Sequence, residues 1–494
     1  MYAGAVELAG AVHARKGQSK TTSDFMAIER ERGISITTTA LQFDYEEHRL
    51  NLLDTPGHND FSEDTYRTLM AVDCAIMVLD SARGVEAQTR KLFEVCRMRR
   101  IPILTFVNKM DHHGRDPFDT LDEVERVLGI AAAPMNWPIG IGLGFQGVFD
   151  LRDRRVLRFE RNAHGQRRSA ALVSDFDDPN LANELGENAY GRLREDVELL
   201  SGAGAPFDRE RFLSGDLTPV FFGSALNNFG VEPFLQAILD LAPPPAPRAS
   251  DLGIVDPVKD PFTGFVFKIQ ANLDPQHRDR IAFVRVCSGR FTKDMAVHHS
   301  RLGRVVRLTR PYRFFGRERE VVEEAYPGDV VGLVNPGLFT IGDTLSADKP
   351  RSFGAVPRFQ PEHFAVLRST DTTRYKQFHK GLEQLNEEGA IQVLHRLGGV
   401  RSEPILAAVG ELQFEVVVAR LKTEYGVIVT TTRLPYTVAR WVGGDPKAAV
   451  GLPWPYDTLL AEDGTGRIMV LFPSEWSLNY FMERNTTVVL DKLG

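Results

Sequence analysis

Cysteine is scarce in this chain: its 494 residues include only Cys74, Cys96 and Cys287, which lie far apart in the sequence. Thiols this few and this separated exclude a disulfide framework and a cysteine-ligated zinc cluster, and they fit a reducing compartment. Long apolar runs are also missing, since the longest, near 75–79 and 101–107, are well short of the roughly 18 residues of a membrane-spanning helix. No charged-then-apolar leader pattern opens the sequence. We therefore expect a cytoplasmic protein with no membrane stage.

Charge of neither sign dominates, because 59 Lys and Arg stand against 66 Asp and Glu, for a net charge of −7. A polyanionic partner therefore has to be met by a local basic patch and not by the field of the whole molecule. Hydrophobic residues make up 43% and aromatic residues 9% of the chain, which argues against a disordered protein. At this length we expect about three domains.

Short apolar runs alternate with helical patterns from residue 50 to residue 240, which predicts a parallel sheet wrapped by helices. We assign residues 1–245 to this α/β domain, with an inserted subdomain around 144–214, where charged residues, Asn and Gly interrupt the rhythm. The predicted strands are 50–53, 75–79, 101–107 and 220–222, and the predicted helices are 61–71, 88–98 and 117–128.

A proline-rich spacer at 241–253 is the best domain boundary. Strand alternation at 263–271 and 280–288, with turn sequences between later strands, predicts an all-β barrel over residues 256–350. Helical and strand patterns beyond it predict an α+β domain at 362–494. The fold class is therefore multidomain, with an α/β, an all-β and an α+β part.

A loop joins the predicted strand 50–53 to a predicted helix and consists of Asp54, Thr55, Pro56, Gly57 and His58. Ligands bind at the carboxyl ends of strands in parallel sheets. An aspartate there can hold Mg²⁺ through water, and a glycine lets its backbone N–H approach a terminal phosphate. The alternative is a tight turn with a capping aspartate.

A second motif at a strand end follows the predicted strand 101–107 and consists of Asn108, Lys109, Met110 and Asp111. A carboxylate at Asp111 can accept both N1–H and N2–H₂ of guanine, donors that adenine lacks, while the aliphatic stem of Lys109 can lie along the base. The alternative for Asp111 is a helix N-cap.

Two weaker signals complete the pattern. Ser224 and Ala225 follow the strand 220–222, and their backbone N–H groups could approach guanine O6. Ser35 offers a hydroxyl ligand for Mg²⁺ on a segment before a strand. Each pattern alone is common, but together they occur in the order and at the strand ends that a GTPase requires.

On these residues the chain resembles the translational GTPases. Five segments carry the resemblance: SDFMAIERERGISIT (23–37), NLLDTPGHNDFSEDTYRTL (51–69), ILTFVNKMD (103–111), GSALNNFGV (223–231) and FTGFVFKIQANLDPQHRDRIAFVRVCSG (262–289). The similarity continues over nearly the whole chain. Ser35, where most members carry Thr, and an ending near residue 494 favour the branch that acts in termination over elongation factor G.

The resemblance implies a ribosome-dependent GTPase that promotes the dissociation and recycling of class I release factors. It implies GTP or GDP and Mg²⁺ as cofactors, the ribosome (ribosomal RNA and proteins) and class I release factors as partners, and a monomer. It implies that His58 orients the attacking water, a task of positioning and electrostatics. The implied Mg²⁺ ligands are Ser35 and Asp54, and the implied nucleotide contacts are Asp54, Thr55, Pro56, Gly57, His58, Asn108, Lys109, Met110, Asp111, Ser224 and Ala225.

The sequence departs from the family at one motif, since it contains no G-x-x-x-x-G-K-[ST] loop to cradle the phosphates. Lys20, Thr21 and Thr22 imitate only the tail of that loop. We expect the loop and the first strand upstream of Met1, because of a start codon placed too far downstream. Their absence would leave strands 50–53 and 101–107 without a neighbour. The alternatives are a P-loop-less pseudo-GTPase that acts only as a ribosome-binding module, and another elongation factor G-like GTPase.

Residues 301–319 form a basic segment in this acidic chain, with seven Arg, one Glu and interleaved aromatic residues. Arginines mixed with aromatics suit an RNA backbone and unstacked bases. The alternative is the solvated face of a barrel hairpin whose aromatics belong to the core.

Overall fold

The computed structural model describes residues 27–32, 34–158, 172–203, 206–272, 279–315, 318–398, 403–443, 451–486 and 488–491. The stretch from Lys20 to Thr22 lies outside these residues. The chain divides into two compact units, of which the first contains Gln42–Asn51 and Val72–Ala246. The second contains Ser23–Leu41, Leu52–Ala71 and Pro247–Gly494.

The first described elements form a helix, a strand hairpin and a second helix: α1 (Ala27–Arg32), β1 (Thr39–Tyr45), β2 (His48–Asp54) and α2 (Ser62–Leu69). A 3₁₀ turn, Asn59–Phe61, precedes α2, which confirms the helix expected there. Glu46 and Glu47 connect the two strands with φ angles of 45° and 64°. Left-handed geometry at both central positions is typical of the tight turns that close hairpins.

The elements of the first unit continue with β3 (Ala75–Asp80), α3 (Ala87–Met98), β4 (Ile103–Asn108), α4 (Pro117–Leu128), β5 (Ala131–Pro134), β6 (Asn136–Ile139), β7 (Gly147–Asp150), β8 (Arg155–Arg158), β9 (Leu172–Asp175), α5 (Leu181–Leu185), α6 (Glu187–Ala203), α7 (Arg209–Ser214), β10 (Leu217–Phe222) and α8 (Val231–Leu241). Four strands form a parallel sheet in the order β3-β4-β10-β5. Phe106 of β4 packs against Phe234 of α8, with ring centroids 5.0 Å apart. A second sheet, antiparallel, has the order β6-β7-β8-β9.

Helix α4 illustrates how the sequence sets local structure. Asp116 caps it by accepting the N–H of Phe118, and Pro117 occupies the first turn, where no intrahelical donor is needed. Gly129 ends it with φ of 67°, the left-handed conformation that glycine adopts without strain. The predicted bounds, 117–128, are therefore confirmed.

The strands of the all-β part are β11 (Arg248–Ser250), β12 (Gly253–Val255), β13 (Thr263–Ala271), β14 (Arg280–Ser288), β15 (Phe291–Thr292), β16 (Ala296–His299), β17 (Arg304–Arg307), β18 (Pro311–Phe315), β19 (Glu318–Val321), β20 (Glu324–Ala325), β21 (Val330–Val334) and β22 (Thr344–Ser346). The main sheet has the order β17-β16-β22-β13-β14-β21-β18-β1-β2, with β19 beside β18. The strands expected at 263–271 and 280–288 have these bounds in the structure. Their apolar side chains form a buried core that includes Val266, Val284 and Leu333.

The prediction that residues 50–53 form a strand of the parallel sheet is wrong. Strand β2 lies beside β1 in the large antiparallel sheet of the all-β part, where Leu41 of β1 is opposite Phe315 of β18. The local hairpin supplies β2 with an antiparallel partner, which its own apolar run did not reveal. The expectation that strand 101–107 lacks a neighbour is also wrong, because β4 lies between β3 and β10. Strand β2 ends its sheet, with β1 as its one neighbour among the described residues.

The α+β part contains β23 (His363–Ser369), α9 (Tyr375–Glu387), β24 (Gln392–Arg396), β25 (Ile405–Ala408), α10 (Leu412–Tyr425), β26 (Val429–Arg433), β27 (Val438–Val442), β28 (Leu459–Asp463), β29 (Ile468–Phe472), α11 (Glu475–Arg484) and β30 (Leu490–Asp491). Its sheet has the order β26-β23-β25-β24-β28-β29-β27-β30. Helices α9 and α10 bury Leu382, Leu385, Phe414 and Leu421 in one core. In the part of the chain described, no helix is long and apolar enough to cross a membrane.

A buried carboxylate holds one edge of the all-β part. Asp343 lies 3.0 Å from Nε2 of His299 and 2.8 Å from Nε of Arg301, and it accepts the N–H of Thr340. Burial by itself would raise the pKa of Asp343, but the hydrogen bonds from His299, Arg301 and Thr340 outweigh it and lower the pKa from 3.8 to about 2. A carboxylate with a depressed pKa stabilises the fold above its ordinary pKa and loses that contribution as the pH falls toward the depressed value.

We expect Asp343 to contribute roughly 2 kcal/mol at neutral pH that is lost as the pH falls from about 3.8 to about 2. Asp343→Asn should destabilise β16 and β22 at neutral pH and remove this pH dependence. Urea unfolding at a series of pH values, followed by pulsed hydrogen exchange in those strands, measures both effects. The exposed Asp457 provides the control, as Asp457→Asn. Equal pH dependence in the wild type and Asp343→Asn would contradict the assignment.

Candidate functional site

Two loops of the first unit meet because their strands end at the same level. Val107 of β4 is opposite Phe222 of β10 in parallel register. Asn108 follows β4's last buried residue, and its Oδ1 accepts the N–H of Lys109 at 2.8 Å and of Ala225 at 2.9 Å. One amide oxygen therefore ties the loop after β4 to the loop after β10.

Backbone contacts complete this junction. The N–H of Met110 donates to the carbonyl of Gly223 at 3.1 Å, and the N–H of Gly223 donates to the carbonyl of Val107 at 3.0 Å. A Cβ at Gly223 would lie 2.5 Å from the carbonyl oxygen of Phe229 and 2.8 Å from Cζ of Phe106. Glycine is required there because the backbone of Phe229 and the ring of Phe106 leave no room for a side chain.

Asp111 has one oxygen bound and one unpaired. Its Oδ2 accepts Nδ2 of Asn227 at 2.6 Å. Its Oδ1 is buried and has no hydrogen-bond partner among the described residues, and the same is true of Oγ of Ser224. Buried polar atoms are nearly always paired, so two such atoms in adjoining loops fit a ligand that supplies N–H donors and polar acceptors.

Lys109 is held at both its backbone and its side chain. Its φ is 68°, its carbonyl accepts Oγ of Ser81 at 3.1 Å, and its Nζ donates to Asp80 at 2.8 Å. Burial opposes the shift, but the hydrogen bond from Lys109 and those from backbone N–H groups lower the pKa of Asp80. These contacts fix the course of the Lys109 stem beside the loop.

The other predicted site residues, Ser35 and those from Asp54 to His58, belong to the second unit. His58 is about 40% exposed, and its Nδ1 accepts the N–H of Asp60 at 3.2 Å. The carbonyl of Pro56 accepts Oγ1 of Thr65 at 3.1 Å. Gly57 has open space where a side chain would be. The structure thus joins the six base-side residues, from Asn108 to Asp111 with Ser224 and Ala225, into one group.

No cluster of three or more His, Cys, Asp or Glu side chains suited to a metal ion occurs in the described ranges. Mg²⁺ in nucleotide sites usually keeps several waters and binds one or two protein groups plus phosphate oxygens. Ser35 and Asp54 are therefore compatible in type with such an ion, although they do not form a protein cage.

Sequence reasoning missed several residues that build these loops. Asn227 was part of a quoted motif, but nothing in the sequence signalled its bond to Asp111. Asn136 accepts the N–H of Phe222 at 2.7 Å and donates to its carbonyl at 3.1 Å, so it holds the end of β10 from another strand. Asp80 and Ser81 act across 28 residues or more of chain. Such contacts depend on the fold and have no local pattern.

The combination of an α/β domain with this loop pair, an all-β part and an α+β part defines a translational GTPase. Residues 1–244 match the family "Elongation factor Tu GTP binding domain", and residues 261–348 match "Elongation factor G domain 2". Residues 353–482 match "Class II release factor RF3, C-terminal domain". A crystal structure of a Thermus thermophilus protein shares the fold with a TM-score of 0.69 at 22% identity, over 93% of this chain and 70% of that one.

Comparison with curated relatives identifies the family within the translational GTPases. The chain is 53% identical to peptide chain release factor 3 of Gloeobacter violaceus, over 98% of this chain and 92% of that protein. It is 52% identical to the proteins of that name from Microcystis aeruginosa, over 100% and 91% of the two chains, and Symbiobacterium thermophilum, over 99% and 92%. The chain therefore belongs to the peptide chain release factor 3 family, the GTPases of translation termination. The resemblance to translational GTPases and the multidomain fold class are confirmed.

Asn108→Ala should loosen the junction between the two loops, because two backbone N–H groups lose their shared acceptor. Unpaired N–H groups cost about 1–3 kcal/mol each when buried. We expect faster hydrogen exchange of Lys109 and Ala225, measured on residues 105–112 and 222–230. Asn227→Ala is the matched control, since it removes a bond between side chains and should leave the Ala225 amide unchanged. Unaltered exchange at Ala225 in Asn108→Ala would contradict this account.

Proposed function

We propose that this protein is a ribosome-dependent GTPase that promotes dissociation and recycling of class I release factors in translation termination. It works as a cytoplasmic monomer, with a GTPase domain at 1–245, an insertion around 144–214, a barrel at 256–350 and an α+β domain at 362–494. The observation that carries the proposal is the unpaired, buried Oδ1 of Asp111 between the two loops.

Guanine is the base that this carboxylate suits. Asp111 Oδ1 can accept from N1–H, and Oδ2, which already accepts from Asn227, can share N2–H₂. The backbone N–H groups of Ser224 and Ala225 lie on the adjoining loop, where O6 of the same base would need a donor. Adenine offers an acceptor at N1 and a donor at C6, so it would leave the carboxylate unpaired.

The proposed contacts to phosphate and Mg²⁺ belong to the second set of residues, Ser35 and those from Asp54 to His58. Gly57 has no side chain and open space around its Cα, so its N–H can approach a terminal phosphate. Ser35 and Asp54 are the proposed ligands of Mg²⁺. The ion would help neutralise the negative charge of the phosphates. His58 orients the attacking water, and its partial exposure leaves the ring accessible to it.

Ribosome-stimulated hydrolysis is the experiment that tests this function. GTP hydrolysis is measured with and without ribosomes for the purified 494-residue chain and for the same chain extended by in-frame upstream codons that encode the G-x-x-x-x-G-K-[ST] loop, together with ribosome binding by sedimentation. The proposal expects turnover that depends on ribosomes and on that loop. If both chains bind ribosomes and neither hydrolyses GTP, the enzyme is overturned in favour of the alternative, a P-loop-less ribosome-binding module.

Asp111→Asn should change the base that the protein prefers from guanine to xanthine. The new amide can donate to the C2 carbonyl of xanthine, whereas it no longer accepts two donors from guanine. Competition between GTP and xanthosine triphosphate for the same chain measures the change. Asp153→Asn, an exposed change in the same domain, is the control. If the relative affinities of the two nucleotides stay as in the wild type, Asp111 does not read the base.

The basic segment divides into paired and unpaired arginines. Arg301, Arg313 and Arg319 form ion pairs with Asp343, Glu320 and Asp279. Three others are exposed on or beside the edge strand β17 and form no ion pair within the described residues: Arg304, Arg307 and Arg310. Tyr312 packs against an apolar cluster, which favours the core role for that aromatic. We therefore assign ribosomal RNA contact to the unpaired arginines.

Replacing Arg304, Arg307 and Arg310 with Gln should weaken ribosome association and flatten its salt dependence. Each lost phosphate contact lowers the slope of log K against log salt by about one unit. Equilibrium binding to ribosomes at a series of salt concentrations measures the slope. Arg313→Gln, which removes an arginine already paired with Glu320, is the matched control and should leave the slope unchanged. If the slope of the triple variant equals that of the wild type, these arginines do not contact RNA, and the segment is the solvated face of a barrel hairpin.

A further inference from the structure

The loop that carries His58 is bound to helix α10 through Asp60. Oδ2 of Asp60 accepts the N–H of Leu412, the first residue of α10, at 2.8 Å. Its Oδ1 lies 3.3 Å from Nδ1 of His58, and its own N–H donates to that same nitrogen. The side chain is about 15% exposed. A single carboxylate therefore faces both the ring of His58 and the N-terminal turn of α10.

Gly410 leaves room for this contact. A Cβ at Gly410 would collide with Cγ, Oδ1 and Oδ2 of Asp60, the three atoms nearest to it. Gly410 is not among the glycines with positive φ, so its backbone alone does not require glycine. The missing side chain at this position thus serves the approach of Asp60.

Apolar packing and a second polar contact support the same arrangement. Phe61, next to Asp60, is buried in a small cluster with Ile36 and Val416 of α10, so the loop after Ser35 also rests on this helix. Arg67 of α2 pairs with Glu63 at 2.5 Å and donates to the carbonyls of Glu388 and Gly389 at 3.5 and 3.4 Å. The segment after His58 is therefore attached to the α+β part at both ends.

We propose that Asp60 is a positioning residue that couples the orientation of His58 to the N-terminal turn of α10. This inference rests on the proposed function, because it takes His58 to orient the attacking water. With Nδ1 accepting the Asp60 N–H, a neutral ring carries its proton on Nε2. A shift of α10 moves Asp60 and with it the ring, so the α+β part controls how well His58 is placed for the reaction.

Two variants at position 60 separate the loss of the contact from the loss of the charge. Asp60→Asn keeps an oxygen that can accept from Leu412 N–H, and its NH₂ group can donate to the accepting Nδ1 of His58. Asp60→Ala removes both contacts. Gly410→Ala pushes against the Asp60 carboxylate from the other side, and this effect should vanish in the Asp60→Ala background. Asp208→Asn, at the cap of α7, controls for a cap substitution elsewhere.

The first measurement is ribosome-stimulated GTP hydrolysis with kcat and KM for ribosomes determined separately. We expect kcat to fall by about 10- to 100-fold in Asp60→Ala and Gly410→Ala and to stay near the wild-type value in Asp60→Asn, with KM nearly unchanged. In the His58→Ala background, Asp60→Ala should cost no further turnover, because Asp60 acts through His58. A full additional loss in that background, or wild-type kcat in Asp60→Ala, would overturn the proposal.

The second measurement is hydrogen exchange of residues 55–62 and 410–416, which requires no catalytic activity. Asp60→Ala and Gly410→Ala should speed exchange in the His58 loop, whereas Asp60→Asn should leave the Leu412 amide protected. If neither the wild-type chain nor the chain extended by the phosphate loop hydrolyses GTP, the proposed function fails, and unchanged exchange in Asp60→Ala would separately refute the coupling. Faster exchange in an active protein with unchanged kcat would reduce Asp60 to a helix cap and overturn its positioning role.

Discussion

The junction between the two loops of the candidate site depends on one interaction, made by the amide oxygen of Asn108. It accepts two backbone N–H groups from loops that follow different strands. With this contact in place, Gly223 can approach Phe106 and Phe229, and Asp111 reaches Asn227 while its other oxygen stays buried and unpaired. The site is thus built by level strand ends and one shared acceptor, and it needs no long-range charge. Because hydrogen bonds hold the two loops together, this junction does not depend on the overall charge of the chain, which is negative like that of a nucleotide.

The second unit relies on buried charges with several partners each. Glu388 pairs with Arg420 at 2.5 Å and accepts the N–H of Ala271 at 2.7 Å, so α9, α10 and β13 share one carboxylate. Burial lowers the pKa of Lys268, although the nearby carboxylates of Asp64, Glu388 and Glu29 oppose it. Its Nζ donates to the carbonyl of Thr38, close in sequence to Ser35. Removing one partner of such a buried pair leaves an uncompensated charge, which strongly destabilises the fold. The segments that carry Ser35 and His58 are therefore anchored to elements far along the chain.

Much of the fold could be predicted because it follows local rules. Asp116, Pro117 and Gly129 delimit a helix, and alternation predicts β13 and β14 to the residue. The sheet to which β2 belongs could not be predicted, since an apolar run does not state its partner. For the site, the motif residues were visible in the sequence, but the roles of Asn227, Asn136 and Asp60 were not. Each of these acts through a contact that exists only after distant strands or helices have packed.

We propose that this GTPase releases class I factors from the ribosome, so the rate of that release is the quantity to measure. A labelled class I release factor is bound to ribosomes from which the peptide has been freed, and its dissociation is followed with this chain plus GTP, with the chain plus GDP, and with GTP alone. The account predicts that dissociation accelerates with the chain plus GTP. A rate that is the same with and without the chain, on ribosomes to which the chain demonstrably binds, would contradict it.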